Sequence, residues 1–278
     1  MSAAPVESAR GRLAGAVAVV TGGSGGLGAS LAETLAEAGA RVAVLSRHLE
    51  TAQPVADRIR AGGGDARAVA CDVTDAAALE WARQRVHELY GPVDILVNGA
   101  GGNDPGATTG DERSFFDLDP AALEHVIRLN LLGTVQSCQA FGRDMAERGS
   151  GVIINISSMA AERPLTRVVG YAAAKAAVNN FTRWLAVHLA QSYGPGIRVN
   201  ALAPGFFLTE QNRYLMLEPT SGELTPRGAS VVGHTPMGRL GAAADLASTL
   251  LWLADPASGF VTGAVVPVDG GFSAFSGV

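Results

Sequence analysis

Seven short runs rich in valine, isoleucine and alanine alternate with helix-length segments along this chain, and that rhythm most restricts its fold. The runs fall at 16–20, 41–45, 66–70, 93–97, 151–157, 197–203 and 264–269. Several lack polar–apolar alternation, the pattern of parallel strands covered on both faces. Between them the sequence predicts helices at 27–39, 49–62, 75–90, 119–148, 170–193 and 243–254. Asp75 and Asp119 stand where a short acceptor caps a helix start, and Gly39 and Gly149 where helices end. Strand alternating with helix builds βαβ units, hence an α/β fold with a doubly wound parallel sheet of about seven strands. No linker, repeat or low-complexity block divides the 278 residues, so 13–278 reads as a single domain behind a mobile tail at 1–12.

One region breaks the rhythm. Residues 206–241 lie between the sixth strand and the last helix and carry Pro219, Pro226 and Pro236. An excursion of this length inside one domain is expected to serve as a substrate lid; a plain surface insertion is the alternative.

Composition narrows the function. A formal charge of −5 with scattered basic residues argues against nucleic acid as a partner. Cys71 and Cys138 sit in no disulfide or metal-ligand spacing, so a reduced cytoplasmic setting and no metal are expected. The uncharged run at 13–32 holds six glycines and makes a poor membrane span, and the first twelve residues lack the apolar core of a signal peptide.

Directly after the first strand comes TGGSGGLG, with Gly22, Ser24, Gly25, Gly26, Leu27 and Gly28. A glycine turn between a strand and a helix lets the backbone approach a pyrophosphate, which then meets the positive end of the helix. At the end of the second strand, Ser46 and Arg47 occupy the place where NAD-selective folds present an acidic residue. A guanidinium beside a small hydroxyl suits a 2′-phosphate, so NADP(H) is favoured and NAD(H) remains possible; otherwise Arg47 only solvates a strand end. Asp72 and Val73 close the third strand, where Asp72 is expected to reach the adenine amino group. Asn98, Ala100 and Gly101 close the fourth. All these clusters fall at the carboxyl edge of the sheet, where open α/β folds bind ligands.

Ser157 and Ser158 end the fifth strand at the same edge, followed by Tyr171 and, one helical turn later, Lys175. Hydride transfer to a carbonyl needs a proton donor for the developing alkoxide. A phenol with a reference pKa of about 10 is a poor one near neutrality unless an ammonium lowers it. A serine hydroxyl can hold the carbonyl oxygen.

In this order and spacing, TGGSGGLG, NGAG, Ser158, YAAAK and PGFFLT resemble the short-chain dehydrogenase/reductase superfamily from about Leu13 onward. The resemblance implies a Rossmann-like domain, usually a homotetramer, with Ser158 orienting substrate and Tyr171 as acid and base. It implies that Lys175 lowers the tyrosine pKa and holds the nicotinamide ribose, and that Asn130 supports a proton-relay water. It places Asn98 near the cofactor ribose, Thr209 on the carboxamide or pyrophosphate, and Pro204, Gly205 and Phe207 along the cofactor. Gly99 stands where the family commonly has a second asparagine, so packing of that turn is expected to differ. The small face Ala172, Ala173, Ala176 and Ala177 permits close helix packing, between subunits or within one.

The expected substrate mouth is polar. Arg163, Arg167 and Arg213 suit a carboxylate, and Asn103, Thr108 and Gln211 suit hydroxyls. With the ending GGFSAFSGV, these loops resemble a bacterial subgroup described as D-mannonate oxidoreductase or fructuronate reductase. The implied reaction interconverts a ketone and a secondary alcohol on a small-molecule sugar acid, such as D-fructuronate and D-mannonate or a gluconate-type acid. A 3-oxoacyl-thioester or general ketone reductase is the alternative, and a non-catalytic NADP-sensing module a more remote one.

Overall fold

The computed structural model describes residues 11–210 and 212–277. One parallel sheet runs through them in the order β3-β2-β1-β4-β5-β6-β7. Its strands are β1 (Val17–Thr21), β2 (Arg41–Ser46), β3 (Asp65–Ala70), β4 (Ile95–Asn98), β5 (Ser150–Ile156), β6 (Gly196–Pro204) and β7 (Val265–Val268). Helices α1 (Gly26–Glu37), α2 (Leu49–Ala61) and α9 (Ala247–Ala254) cover one face. Helices α3 (Ala76–Tyr90), α5 (Gly133–Arg148) and α6 (Val169–Ser192) cover the other. This Rossmann-like architecture is the one expected from the strand and helix rhythm.

The unbroken apolar runs follow from that layering. In β1, Ala18 and Val20 pack under α1 and α9, whereas Val17 and Val19 pack toward α3 and α5. Both faces therefore need apolar side chains. At the edges the demand relaxes: β3 fully buries only Ala66 and Val69 and exposes Arg67, and β7 carries Pro267, whose missing N–H an edge strand tolerates.

Expected caps form. Asp75 accepts from the backbone N–H groups of Ala77 and Ala78, Asp119 accepts from that of Ala121, and Gly149 ends α5 with φ 68°. The helix expected at 119–148 is interrupted. It consists of α4 (Pro120–Ile127), a π-helical turn (Arg128–Leu132) and then α5. Asn130, at the centre of that turn, donates from Nδ2 to the carbonyls of Val126 (2.8 Å) and Gly102 (2.7 Å). Its side chain thus links the widened turn to the loop that leaves β4.

The chain crosses from β3 to β4 on opposite sides of β1, leaving a crevice at the carboxyl ends of the central strands. There Thr21 pairs in register with Asn98, and Asn98 with Asn155. The lid expected at 206–241 contains α7 (Arg213–Met216), α8 (Pro226–Gly233) and an antiparallel bridge between Leu217 and Leu224. Its base is closed by main-chain bonds from Leu208 N–H to Gly241 O and from Gly241 N–H to Phe206 O, both 2.9 Å.

Candidate active site

A cleft of about 480 Å³ lies over that crevice and extends from the glycine turn to the lid. Gly22 sits at φ +66°, and a Cβ on it would lie 2.7 Å from the Ala100 backbone. The turn can therefore press against the end of β4 only as glycine. Gly25 begins α1 in extended conformation, and no side chain caps the helix. The first N–H groups of α1 are left for a ligand, with Ser24, Gly25, Gly26, Leu27 and Gly28 on the cleft wall. An uncapped helix start behind a glycine turn fits a dinucleotide pyrophosphate.

Farther along, Ser24 Oγ donates to Ser46 Oγ at 2.9 Å, and Ser46 Oγ lies 2.9 Å from Thr51 Oγ1. Arg47 lines the same end. Cys71 and Val73 also face the cleft, but Asp72 between them does not line it. Its Oδ1 accepts from the Thr74 N–H (2.8 Å) and hydroxyl (2.7 Å), which ties the carboxylate to the turn that follows β3. Burial works against its charge, yet these bonds together with Arg47 and Arg128 hold the carboxyl below its ordinary range.

Asn98 shares the face of β4 occupied by Leu96 and is buried, with Nδ2 donating to Asn155 Oδ1 at 2.9 Å and to Cys138 Sγ at 3.2 Å. Its side chain braces the interior, joined to β5 and α5. Ala100 and Gly101, which follow, do line the cleft. A Cβ on Gly101 would fall 2.6 Å from Asn130 Oδ1 and 3.3 Å from Lys175 Nζ, so only glycine fits beside those two side chains.

Ser158, Tyr171 and Lys175 meet in the middle of the cleft. Ser158 leaves β5 and begins a single 3-10 turn, its Oγ accepting from the Ala160 N–H at 3.1 Å. Tyr171 lies in the first turn of α6, with its hydroxyl beside that of Ser158. Lys175, one turn later and buried, donates to the Ile156 carbonyl at 2.7 Å, with Nζ 5.6 Å from the Tyr171 ring centroid.

The electrostatics refine the expected roles. Desolvation pushes the Tyr171 phenol up, and Ser158 opposes the rise by favouring the phenolate. The net direction is upward, against the lowering expected from Lys175. Burial pushes the Lys175 ammonium down to about 8, so it remains mostly protonated at neutral pH. Asn130 is fully buried behind the wall; its Oδ1 accepts from the Gly102 N–H at 3.2 Å and its carbonyl accepts from Thr134 Oγ1 at 2.9 Å.

Pro204, Gly205, Phe207 and Thr209 line the lid side as expected. Asn212, not singled out from sequence, holds this strip in shape. Its Oδ1 accepts from the Thr209 N–H at 2.8 Å, and its Nδ2 donates to the Phe207 carbonyl at 2.7 Å. Asn103 reaches the cleft and donates to Thr108 Oγ1 at 2.8 Å. Gln211 lies outside the described residues.

The three expected arginines are elsewhere. Arg163 is exposed and donates to the Ser273 carbonyl in the C-terminal segment, Arg167 is exposed in the loop before α6, and Arg213 is exposed on α7; none of them lines the cleft. On the lid side the arginine that does is Arg227, the second residue of α8. A signal for it exists in the sequence: Thr225 followed by Pro226 is a helix-start pair, and Thr225 Oγ1 accepts from the Gly228 N–H at 3.0 Å.

Comparisons with known proteins agree with this geometry. A family model described as short chain dehydrogenase matches residues 16–219. An uncharacterised oxidoreductase of Bacillus subtilis, UxuB, is 49% identical over 96% of this chain and 98% of its own. A crystal structure of a candidate D-mannonate oxidoreductase from Haemophilus influenza, with bound NAD, superposes with a TM-score of 0.89 at 42% identity, covering 96% of this chain and 98% of that one. A gluconate 5-dehydrogenase from Burkholderia cenocepacia, in complex with NADP and tartrate, gives 0.84 at 35% identity over 96% and 98% of the two chains. Identities this high over nearly full-length matches establish membership: the chain belongs to the short-chain dehydrogenase/reductase family, the NAD(P)-dependent oxidoreductases of alcohol and keto groups.

Proposed function

We propose that the protein interconverts a ketone and a secondary alcohol on a sugar acid, such as D-fructuronate and D-mannonate or a gluconate-type acid, with NADP(H) favoured over NAD(H). The supporting observation is that one cleft joins the glycine turn, the Ser158, Tyr171 and Lys175 set and a lid arginine. Similar proteins carry names of mannonate and gluconate chemistry. For the cofactor, the support is the Ser24–Ser46 hydroxyl pair beside Arg47, a donor set suited to a 2′-phosphate.

A nicotinamide cofactor held along the glycine turn would supply the hydride in reduction and accept it in oxidation. Ser158 Oγ holds the carbonyl oxygen, and the protonated Tyr171 hydroxyl gives its proton to the alkoxide as that oxygen gains charge. Lys175 keeps a positive charge beside the ring and would hold the cofactor ribose. Its bond to Ile156 fixes it to the end of β5. Asn130 keeps the Gly102 loop in place beside the proposed relay water.

A second reading has its own support: Leu165, Val168, Leu215 and Met216 give the lid end an apolar wall, which a neutral lipophilic ketone or 3-oxoacyl thioester would also favour. Steady-state assays of D-fructuronate, D-mannonate, D-gluconate, neutral polyols and lipophilic ketones with both cofactors decide between them. Turnover confined to lipophilic ketones would overturn the sugar-acid reading.

A homotetramer is the proposed assembly, supported by Trp184 and Val187, each 58% exposed on α6. Light scattering of the purified protein tests it, and a monomer would refute it. Among the described residues no helix is long and apolar enough to cross a membrane.

A further inference from the structure

We propose that Arg227 anchors a carboxylate subsite at the lid end of the cleft, with Arg167 adding a second positive charge at its rim. The proposal deepens the sugar-acid reading and rests on it for the identity of the substrate. It replaces the exposed Arg163 and Arg213 with a guanidinium that faces the cleft.

Arg227 is half-buried, and its Nε is sealed from solvent without a hydrogen-bond partner among the described residues. Leaving a buried donor unmade costs about 1–3 kcal/mol; Arg41 Nε is also without a partner among the described residues, but of the two only Arg227 lines the cleft, where a ligand can reach it. Other arginines show the ordinary arrangement: Arg58 pairs with Glu33, Arg148 with Asp94 and Arg239 with Asp245. The charge that acts on Arg227 is of like sign. Burial and then Arg167 hold its guanidinium below the ordinary value. A guanidinium on the cleft wall, with the exposed Arg167 as its like-charged neighbour, is complementary to an anion.

The backbone supports the same location. Arg167 has φ 79°, a left-handed conformation uncommon for a residue with a side chain, and its carbonyl accepts from the Thr109 N–H at 3.0 Å. That bond ties the rim to the loop bearing Asn103 and Thr108. Arg227 follows the Thr225 cap, and the packing of Gly228 against the Met216 carbonyl sets α8 closely on α7. The subsite thus belongs to the lid and the 103–109 loop, whereas the 2′-phosphate end belongs to Ser46 and Arg47. Apolar Leu165, Val168, Leu215 and Met216 around it lower the local dielectric and strengthen a guanidinium–carboxylate pair.

The test is calorimetric titration of D-gluconate, tartrate and D-mannitol into the NADP+-saturated protein, comparing wild type with Arg227→Met and Arg227→Lys. Alongside it, the ratio of kcat/KM for D-mannonate to that for a neutral polyol is measured. Arg227→Met is expected to weaken carboxylate binding and lower that ratio by roughly 10- to 100-fold, with Arg227→Lys recovering part of both. Unchanged carboxylate affinity in Arg227→Met overturns the proposal, as does a wild type that binds neither gluconate nor tartrate. A loss of NADPH affinity with the acid-to-neutral ratio unchanged also overturns it and assigns Arg227 to the cofactor. If the wild type binds carboxylates through Arg227 but turns over no sugar acid, the subsite stands and the substrate reading fails. If Arg227→Met does not melt cooperatively, Arg227→Gln carries the same titrations, with the same outcomes decisive.

Discussion

Lys175 Nζ donates to the carbonyl of Ile156 at 2.7 Å, tying the second turn of α6 to the last residue of β5. Few contacts connect the sheet edge to the reaction centre so directly. It means that the amine beside Tyr171 is held by the sheet itself, and that its burial is part of the arrangement.

That burial gives a stability prediction. Lys175 falls from 10.5 to about 8, so the folded protein carries a penalty on the order of 3 kcal/mol for the buried charge. The penalty is fully present below about pH 8, where both folded and unfolded chains are protonated. It fades as pH rises toward the unfolded value, because the unfolded chain then binds the extra proton. Wild-type stability measured in urea is expected to gain between pH 8 and 10.5, and Lys175→Met to lose that pH-dependent gain. The variant is also expected to melt at or above the wild-type temperature at pH 7 while losing activity.

Tyr171→Phe removes the proton donor and little else. Turnover is expected to drop by roughly 10²–10⁴-fold, with NADPH fluorescence titrations unchanged within a factor of about three. Persisting turnover with a good substrate would show that the phenol is not the acid.

Arg47→Ala is expected to raise the KM for NADP by about tenfold or more while leaving that for NAD nearly unaltered, since only the 2′-phosphate would lose its partner. Equal effects on both cofactors would remove the basis for an NADP preference.

Asn98→Ala separates bracing from binding. Its amide satisfies Asn155 inside the core, so the substitution is expected to destabilise by about 1–3 kcal/mol in chemical denaturation. The Kd for cofactor in the folded variant is expected to stay within about threefold of wild type. A selective loss of cofactor affinity with stability intact would return Asn98 to the ribose.

These outcomes follow from where sequence reasoning reached and where it stopped. Strands such as β1 and β2 were legible because burial on two faces writes a continuous apolar run, and Asp75 and Asp119 because a cap is a local event. Ser158, Tyr171 and Lys175 converge because strand end and helical turn fix them within one βα unit. The π-helical turn was not legible, since its partner Gly102 lies 28 residues away and is brought there only by tertiary folding. Asn98 sits at the expected strand end, but its side chain is spent on Asn155 and Cys138, partners 57 and 40 residues away that only the folded sheet brings beside it. The arginines failed differently: in a segment without regular repeat, nearness in sequence to the site says little about direction, and Arg227, farther along the lid, is the one that returns to it.

The pair of main-chain bonds between Leu208, Gly241 and Phe206 brings the two ends of the lid together beside the cofactor wall. A segment that leaves and rejoins the scaffold at one point can be lengthened, shortened or exchanged while the junction stays in place. Selectivity and chemistry can then diversify separately: descendants of such a gene can acquire new substrates by rewriting one contiguous stretch of codons, without relearning how to move a hydride.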